Sequence, residues 1–219
     1  MIWKKHINIS EINDYLELIN KRPELFINND FMRIETDPEI IRIFVNSTGK
    51  QIGIIYKSEF NMLLVDLVEL DDGTMIAYER IVPAVQSGAV VVIPIFQGKF
   101  VLLKQFRHAI RNIQYAFPRG FGEPNTSSQE NAYLEIKEEI GSDLLSIKYL
   151  GDVIADSGLS GNQVSVYVGE ITEPKSKNFD EGIQEIVYLS NDELNSWIRK
   201  KRITDGFTLS AYCLYMAAH

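Results

Sequence analysis

The chain has 219 residues, 45% of them hydrophobic and 24% charged, which is enough apolar content to bury a full core and sets it apart from disordered compositions. A formal charge of -8 at pH 7 and a pI near 5.0 argue against nucleic acid as the main partner, because backbone binding draws on many Lys and Arg contacts. The first residues, MIWKKHINIS, lack the apolar stretch of a signal peptide, and the longest apolar run, Ala89 to Phe96, falls far short of the ~20 residues of a spanning helix, so a cytoplasmic protein with no membrane partner is expected.

In chain order, Ile12, Tyr15, Leu16 and Ile19 predict an amphipathic helix over 9–21. Ile41 to Asn46 and Gln51 to Tyr56 flank Ser47-Thr48-Gly49-Lys50, and Leu63 to Glu69 and Met75 to Arg80 flank Asp71-Asp72-Gly73, which predicts two hairpins. A third is expected from Ala89 to Phe96 and Phe100 to Gln105 around Gln97-Gly98. The continuous apolar run Val90-Val91-Val92-Ile93 marks its first strand as buried on both faces. Further strands are expected near Leu144 to Ile154, Val164 to Ile171 and Gln184 to Leu189. Ser190 with Glu193 forms a capping box that opens a helix, and Thr208 to Ala218 supplies the last one. The fold class implied is α+β, with residues 1–80 as an amino-terminal helix and hairpin region and 81–219 as the main domain.

Cys213 has no internal disulfide partner, and the three histidines, His6, His108 and His219, show no zinc-ligand spacing. Carboxylates are the remaining metal-binding chemistry. Ser127 and Glu130 form a second capping box and Gly141 a stop signal, so a helix is expected between them. At 3.6 residues per turn, Tyr133, Ile136 and Ile140 are predicted on one stripe and Glu135, Glu138 and Glu139 together on the other. Such a cluster is either a solvated acidic face or a site for Mg2+, with Mn2+ as a substitute, since Mg2+ takes oxygen ligands from one or two carboxylates. Ahead of the helix, Phe117-Pro118-Arg119-Gly120-Phe121-Gly122-Glu123-Pro124-Asn125 reads as a strand end and a tight glycine-containing loop.

These residues resemble the Nudix hydrolase family. Its signature, G-x5-E-x7-R-E-U-x-E-E-x-G-U with U a bulky aliphatic residue, starts here at Gly120 and matches Glu135, Ile136, Glu138, Glu139 and Gly141. Thr126, Leu134 and Ser142 depart from it, standing where the family has glutamate, arginine and the last aliphatic residue. Val101-Leu102-Leu103-Lys104-Gln105-Phe106-Arg107 and Ile203-Thr204-Asp205-Gly206-Phe207-Thr208 look like the branch of ADP-ribose pyrophosphatases and related nucleoside diphosphate sugar hydrolases. The resemblance implies a mixed sheet sandwiched between helices, a nucleoside diphosphate substrate, and a homodimer that uses the amino-terminal region.

It also implies roles. Glu135 and Glu139 become the principal Mg2+ ligands, with Glu138 holding a second metal or orienting water, and Arg119 sits where the family uses a backbone carbonyl as a ligand. The Arg119 guanidinium is a further candidate for phosphate, beside Gly120. Arg107 matches the arginine that the branch places near the phosphates, although a salt bridge at a strand end would equally account for it. Gln184 falls where the water-activating glutamate is expected, which leaves Glu181 and Glu185 as its substitutes, and Asn162 stands where another family loop often carries glutamate. A ligand-binding module without turnover is the alternative expectation.

Overall fold

The computed structural model describes residues 9–86, 88–175 and 182–218. The chain divides into two compact units, one formed by Met1–Val85 with Asp156–Asn162 and the other by Gln86–Ala155 with Gln163–His219.

The first unit is built on β3 (Asn61–Leu70), the centre of a four-stranded sheet. β4 (Met75–Pro83) runs along one of its edges, and β2 (Gly53–Lys57) and β1 (Met32–Ile34) share the other. Alternation along β3 sends Met62 and Leu64 to a core with Tyr15, Phe26 and Val82, and Val65 and Leu67 to a second core with Ile12, Ile41, Val45 and Ile52. The helix expected over 9–21 is present as α1 (Ile9–Lys21).

The hairpin expected at Ile41 to Tyr56 is not formed: its first half is a helix, α2 (Pro38–Thr48). Asp37 caps it by accepting from the Glu39 N–H at 2.8 Å, Pro38 opens its first turn, and Gly49 closes it at φ 71°. The β-branched run Ile40-Ile41-Arg42-Ile43 has strand propensity, yet Ile41 and Val45, one turn apart, both enter the core, so burial overrides propensity.

Asp66 on β3 is buried, and it accepts from the Tyr15 hydroxyl and from Arg80 Nε. Burial, reinforced by the charge and hydrogen bond of Asp66, holds the Tyr15 phenol far above its ordinary value, so it remains a donor throughout the physiological range. Asp66→Ala strands both donors. It is expected to lower stability by about 3 kcal/mol in urea unfolding, the lower end of the cost of breaking a buried pair because Arg80 keeps some solvent.

The second unit is a seven-stranded mixed sheet of order β11-β6-β5-β10-β9, with β7 and β8 added on β6 and β5. Its strands are β5 (Val90–Phe96), β6 (Lys99–Arg107), β7 (Asn112–Ala116), β8 (Arg119–Gly120), β9 (Lys148–Val153), β10 (Val164–Glu170) and β11 (Ile183–Leu189). β5 and β10 are parallel, and the other pairs are antiparallel. Val90 and Val92 face α3 (Ser128–Glu135) and the turn that follows it. Val91 and Ile93 face α4 (Asn191–Arg199) and α5 (Gly206–Ala217), so both faces of β5 are covered, as its apolar run predicts. This is the sandwich of sheet between helices.

β5 and β6 pair only at their hairpin end, Ile95 with Phe100 and Phe96 with Lys99. Beyond it they diverge: β6 goes on with β7 and β11, while β5 takes β8 through Val91 with Arg119 and Val90 with Gly120. The Val92 N–H also donates to the Pro118 carbonyl at 3.0 Å. The segment 117–120 is thereby threaded through the middle of the sheet.

Candidate active site

α3 begins at the predicted capping box. The Ser127 hydroxyl accepts from the Glu130 N–H at 3.2 Å, and Glu130 accepts from the Ser127 N–H at 3.0 Å and from its hydroxyl at 2.6 Å. Those bonds, the Ser127 hydroxyl first, hold the Glu130 carboxyl below its ordinary value. After Glu135 the helix widens into a π-helical turn, Ile136–Ile140, which ends at Gly141 with φ 67° and its N–H on the Ile136 and Lys137 carbonyls.

Burial along the helix and this turn differs from the expected stripe. Ala132, Ile136 and Ile140 form the buried stripe, whereas Tyr133, expected on it, is exposed. The three glutamates do not share a face either. Glu139 is 1% exposed, Glu135 is half-buried and Glu138 points outward. Glu139 falls beside Ile136 and Ile140 on the buried side, whereas Glu138 is left exposed.

Glu139 Oε2 accepts from the Arg119 N–H at 3.1 Å. Glu135 lies against Gly120 so closely that a Cβ there would stand 1.6 Å from its Oε1. Strand alternation explains both contacts. Gly120 shares a face with Val90 toward α3, and Arg119 shares one with Val91 toward α5. The Arg119 guanidinium is therefore not beside the glutamates. Its Nη1 pairs with Asp205 Oδ2 at 3.0 Å, and its guanidinium carbon lies 4.9 Å from the Phe207 ring centroid. The side chain expected to reach a phosphate is held on the other face of the sheet.

Arg107, at the end of β6, alternates in step with Val101 and Leu103 and so lies on the α3 face. Glu185 does not: Val187 and Leu189, in step with it, enter the core under α4 and α5, and Glu185 Oε2 stands 3.5 Å from Lys104 Nζ. Glu181 lies outside the described residues. His108 Nδ1 is 2.8 Å from Arg111 Nη1 in the tight turn after β6.

The departures from the motif have local explanations. Leu134 is exposed and Thr126 half-exposed, while buried Asn131 ties α3 to the segment before β5, its Nδ2 donating to the Gly88 carbonyl at 3.0 Å. Ser142 is buried because its hydroxyl donates to the Thr172 carbonyl at 2.7 Å. Asn131 carried no signal in the motif, since its partner is a residue before β5, far away in sequence.

The donor set fits a divalent cation that prefers oxygen. Glu135 and Glu139 supply two carboxylates, and the missing Cβ of Gly120 leaves the recess that one of them occupies. Among the described residues, no group of three or more His, Cys, Asp or Glu side chains is gathered to hold a metal. A cavity of about 560 Å³ lined by Gln86, Gly88, Ser128, Asp152, Gln163 and Ser165 lies at the opposite end of α3 from Glu139. It has no Lys or Arg in its lining and does not suit a diphosphate.

Two outcomes are expected here. Gly120→Ala must displace the far end of a flexible side chain, so the protein should melt near the parent temperature, while Mn2+ affinity in calorimetric titration falls about 10–100-fold, as when a metal ligand loses its support. Because the folded-state value of Glu130 is the lower one, its contribution is present above the ordinary glutamate value and is lost as pH falls through the folded value. Glu130→Gln should flatten that acid limb in unfolding measured across pH.

Residues 86–207 match the NUDIX domain family. The chain is 26% identical over 122 residues to the ADP compounds hydrolase NudE of Escherichia coli (strain K12), a match covering 56% of this chain and 64% of that protein. It thus spans somewhat less than two thirds of that relative's length. The fold matches a crystal structure of an ADP compounds hydrolase with a TM-score of 0.66 and 18% identity, over 76% of this chain and 90% of the other. The threaded segment 117–120, the carboxylates behind it and a domain match covering more than half of the chain lead to one conclusion: the chain belongs to the Nudix family.

Proposed function

We propose that the protein hydrolyses the pyrophosphate bond of a nucleoside diphosphate compound, ADP-ribose or a nucleotide sugar, in a Mg2+-dependent reaction. The observation that carries this reading is the buried carboxylate of Glu139, oriented by the Arg119 amide, next to the Glu135 carboxylate seated on Gly120. Nudix hydrolases generally use divalent metal ions, and the named relative is an ADP compounds hydrolase. Glu135 and Glu139 would hold the ion, with the main chain of Arg119 as a further ligand and Glu138 left to meet an outer water or a second ion. Once bound, such an ion neutralises diphosphate charge and polarises the phosphorus under attack.

The chain's own residues do the rest. Arg107, on the α3 face, offers a planar fork to phosphate oxygens. Glu185 is engaged by Lys104 on the far face, so the water-activating role is assigned to Glu181, which would take the proton as the water oxygen bonds to phosphorus and the bridging oxygen leaves. The products are two phosphate monoesters, AMP and ribose 5-phosphate from ADP-ribose. Residues 1–80 are proposed as a dimerisation region and 81–219 as the catalytic domain of a cytoplasmic enzyme; among the described residues no helix is long and apolar enough to cross a membrane.

A second reading, a nucleotide-binding module without turnover, is favoured by the outward position of Glu138 and by the lack of a three-carboxylate group among the described residues. Incubation with Mg2+ and ADP-ribose, followed by phosphorus NMR, separates the two. Hydrolysis to two monoesters that disappears in Glu139→Gln is the expected result. Glu181→Gln should retain metal binding and lose about 10²–10⁴-fold in kcat, the worth of a general base. Tight ADP-ribose binding with no monoester released would transfer the assignment to the binding module.

A further inference from the structure

We propose that the ion pair between Arg119 and Asp205 is a positioning device for the carboxylate site, an inference that rests on the reading of Glu135 and Glu139 as cation ligands. Arg119 acts on both faces of the sheet at once. Its amide donates to Glu139 Oε2 at 3.1 Å on the α3 side, and its guanidinium is fixed on the α5 side by Asp205 at 3.0 Å and by the Phe207 ring. β8 pairs with β5 over only two residues, which sets its register, and an anchor at each end of Arg119 adds to where that amide stands.

Asp205 is well placed to serve as the fixed point. Its side chain is 9% exposed against 24% for Arg119, so the pair is largely shielded from screening by solvent. Asp205 Oδ1 caps α5, accepting from the Thr208 N–H at 2.9 Å and from the Thr208 hydroxyl at 2.8 Å. The Thr208 oxygen in turn accepts from the Phe117 N–H at 3.0 Å. The start of α5 therefore holds the threaded segment at Phe117 through Thr208 and at Arg119 through Asp205, two residues apart. Loss of the ion pair leaves the first attachment and frees the second.

Asn is as good a helix cap as Asp, so Asp205→Asn removes the ion pair while keeping the cap. With the full-length protein, binding of Mn2+ alone is followed by the electron paramagnetic resonance signal of the free ion, alongside melting temperature. Asp205→Asn and Arg119→Ala should each weaken Mn2+ binding about tenfold, as loss of a group behind a metal ligand does. The double variant should be no weaker than either single one, and Arg119→Lys, which restores a cation beside Asp205, should recover part of the loss.

Unchanged Mn2+ affinity in a folded Asp205→Asn protein overturns the proposal, as do losses that multiply in the double variant. A rise in substrate KM confined to Arg119→Ala, with Mn2+ binding intact, also overturns it and makes the guanidinium a substrate contact. The reading beneath it fails separately: Mn2+ bound through Glu139 without diphosphate hydrolysis removes the activity and leaves the positioning role, whereas a parent protein that binds no Mn2+ removes both.

Discussion

A carboxylate withdrawn from water as completely as that of Glu139 costs several kcal/mol unless donors or a cation meet it. The Arg119 amide is one such donor, and its position depends on a chain of features in the second unit. β5 and β6 must separate after a single hairpin end, the segment from Phe117 to Gly120 must enter the gap, and the helix behind it must turn Glu139 inward. The pairing of β8 with β5 places that segment, and Gly141 closes the helical turn that carries Glu139.

Alternation across the two residues of β8 divides the labour between the faces of the sheet. Gly120 faces α3, where the lack of a side chain makes room for Glu135, and Arg119 faces α5, where Asp205 and Phe207 receive its guanidinium. A one-residue slip would put a guanidinium among the glutamates and a glycine against α5. The main-chain pairing of β8 with β5 thus fixes the chemistry of both faces, which explains how a bulky cation is accommodated beside the site.

Much of this was legible in the sequence. The capping boxes at Ser127 and Ser190, the helix over 9–21, the buried strand of Val90 to Ile93 and the glycine stop at Gly141 all come from local rules, and local hydrogen bonds and burial satisfy them in the fold. The readings that failed turned on packing that local sequence does not set. Ile41 to Asn46 has strand propensity but lies in a helix because Ile41 and Val45 are needed in one core, and Glu138 is exposed while Glu139 is buried against the Arg119 amide.

By itself the sequence determined the glycine-led motif, the residue types available as hard-cation donors and the helices and strands that carry them, since these follow from side-chain chemistry and from interactions within a few residues. Only the tertiary structure decided that Glu139 is buried while Glu138 is not, that Glu185 lies with Lys104 on the far face, and that Arg119 answers to Asp205. Those outcomes depend on strand register and on contacts between residues as far apart in sequence as Arg119 and Asp205. No periodicity in a single chain encodes such contacts, because they form only when the sheet is assembled.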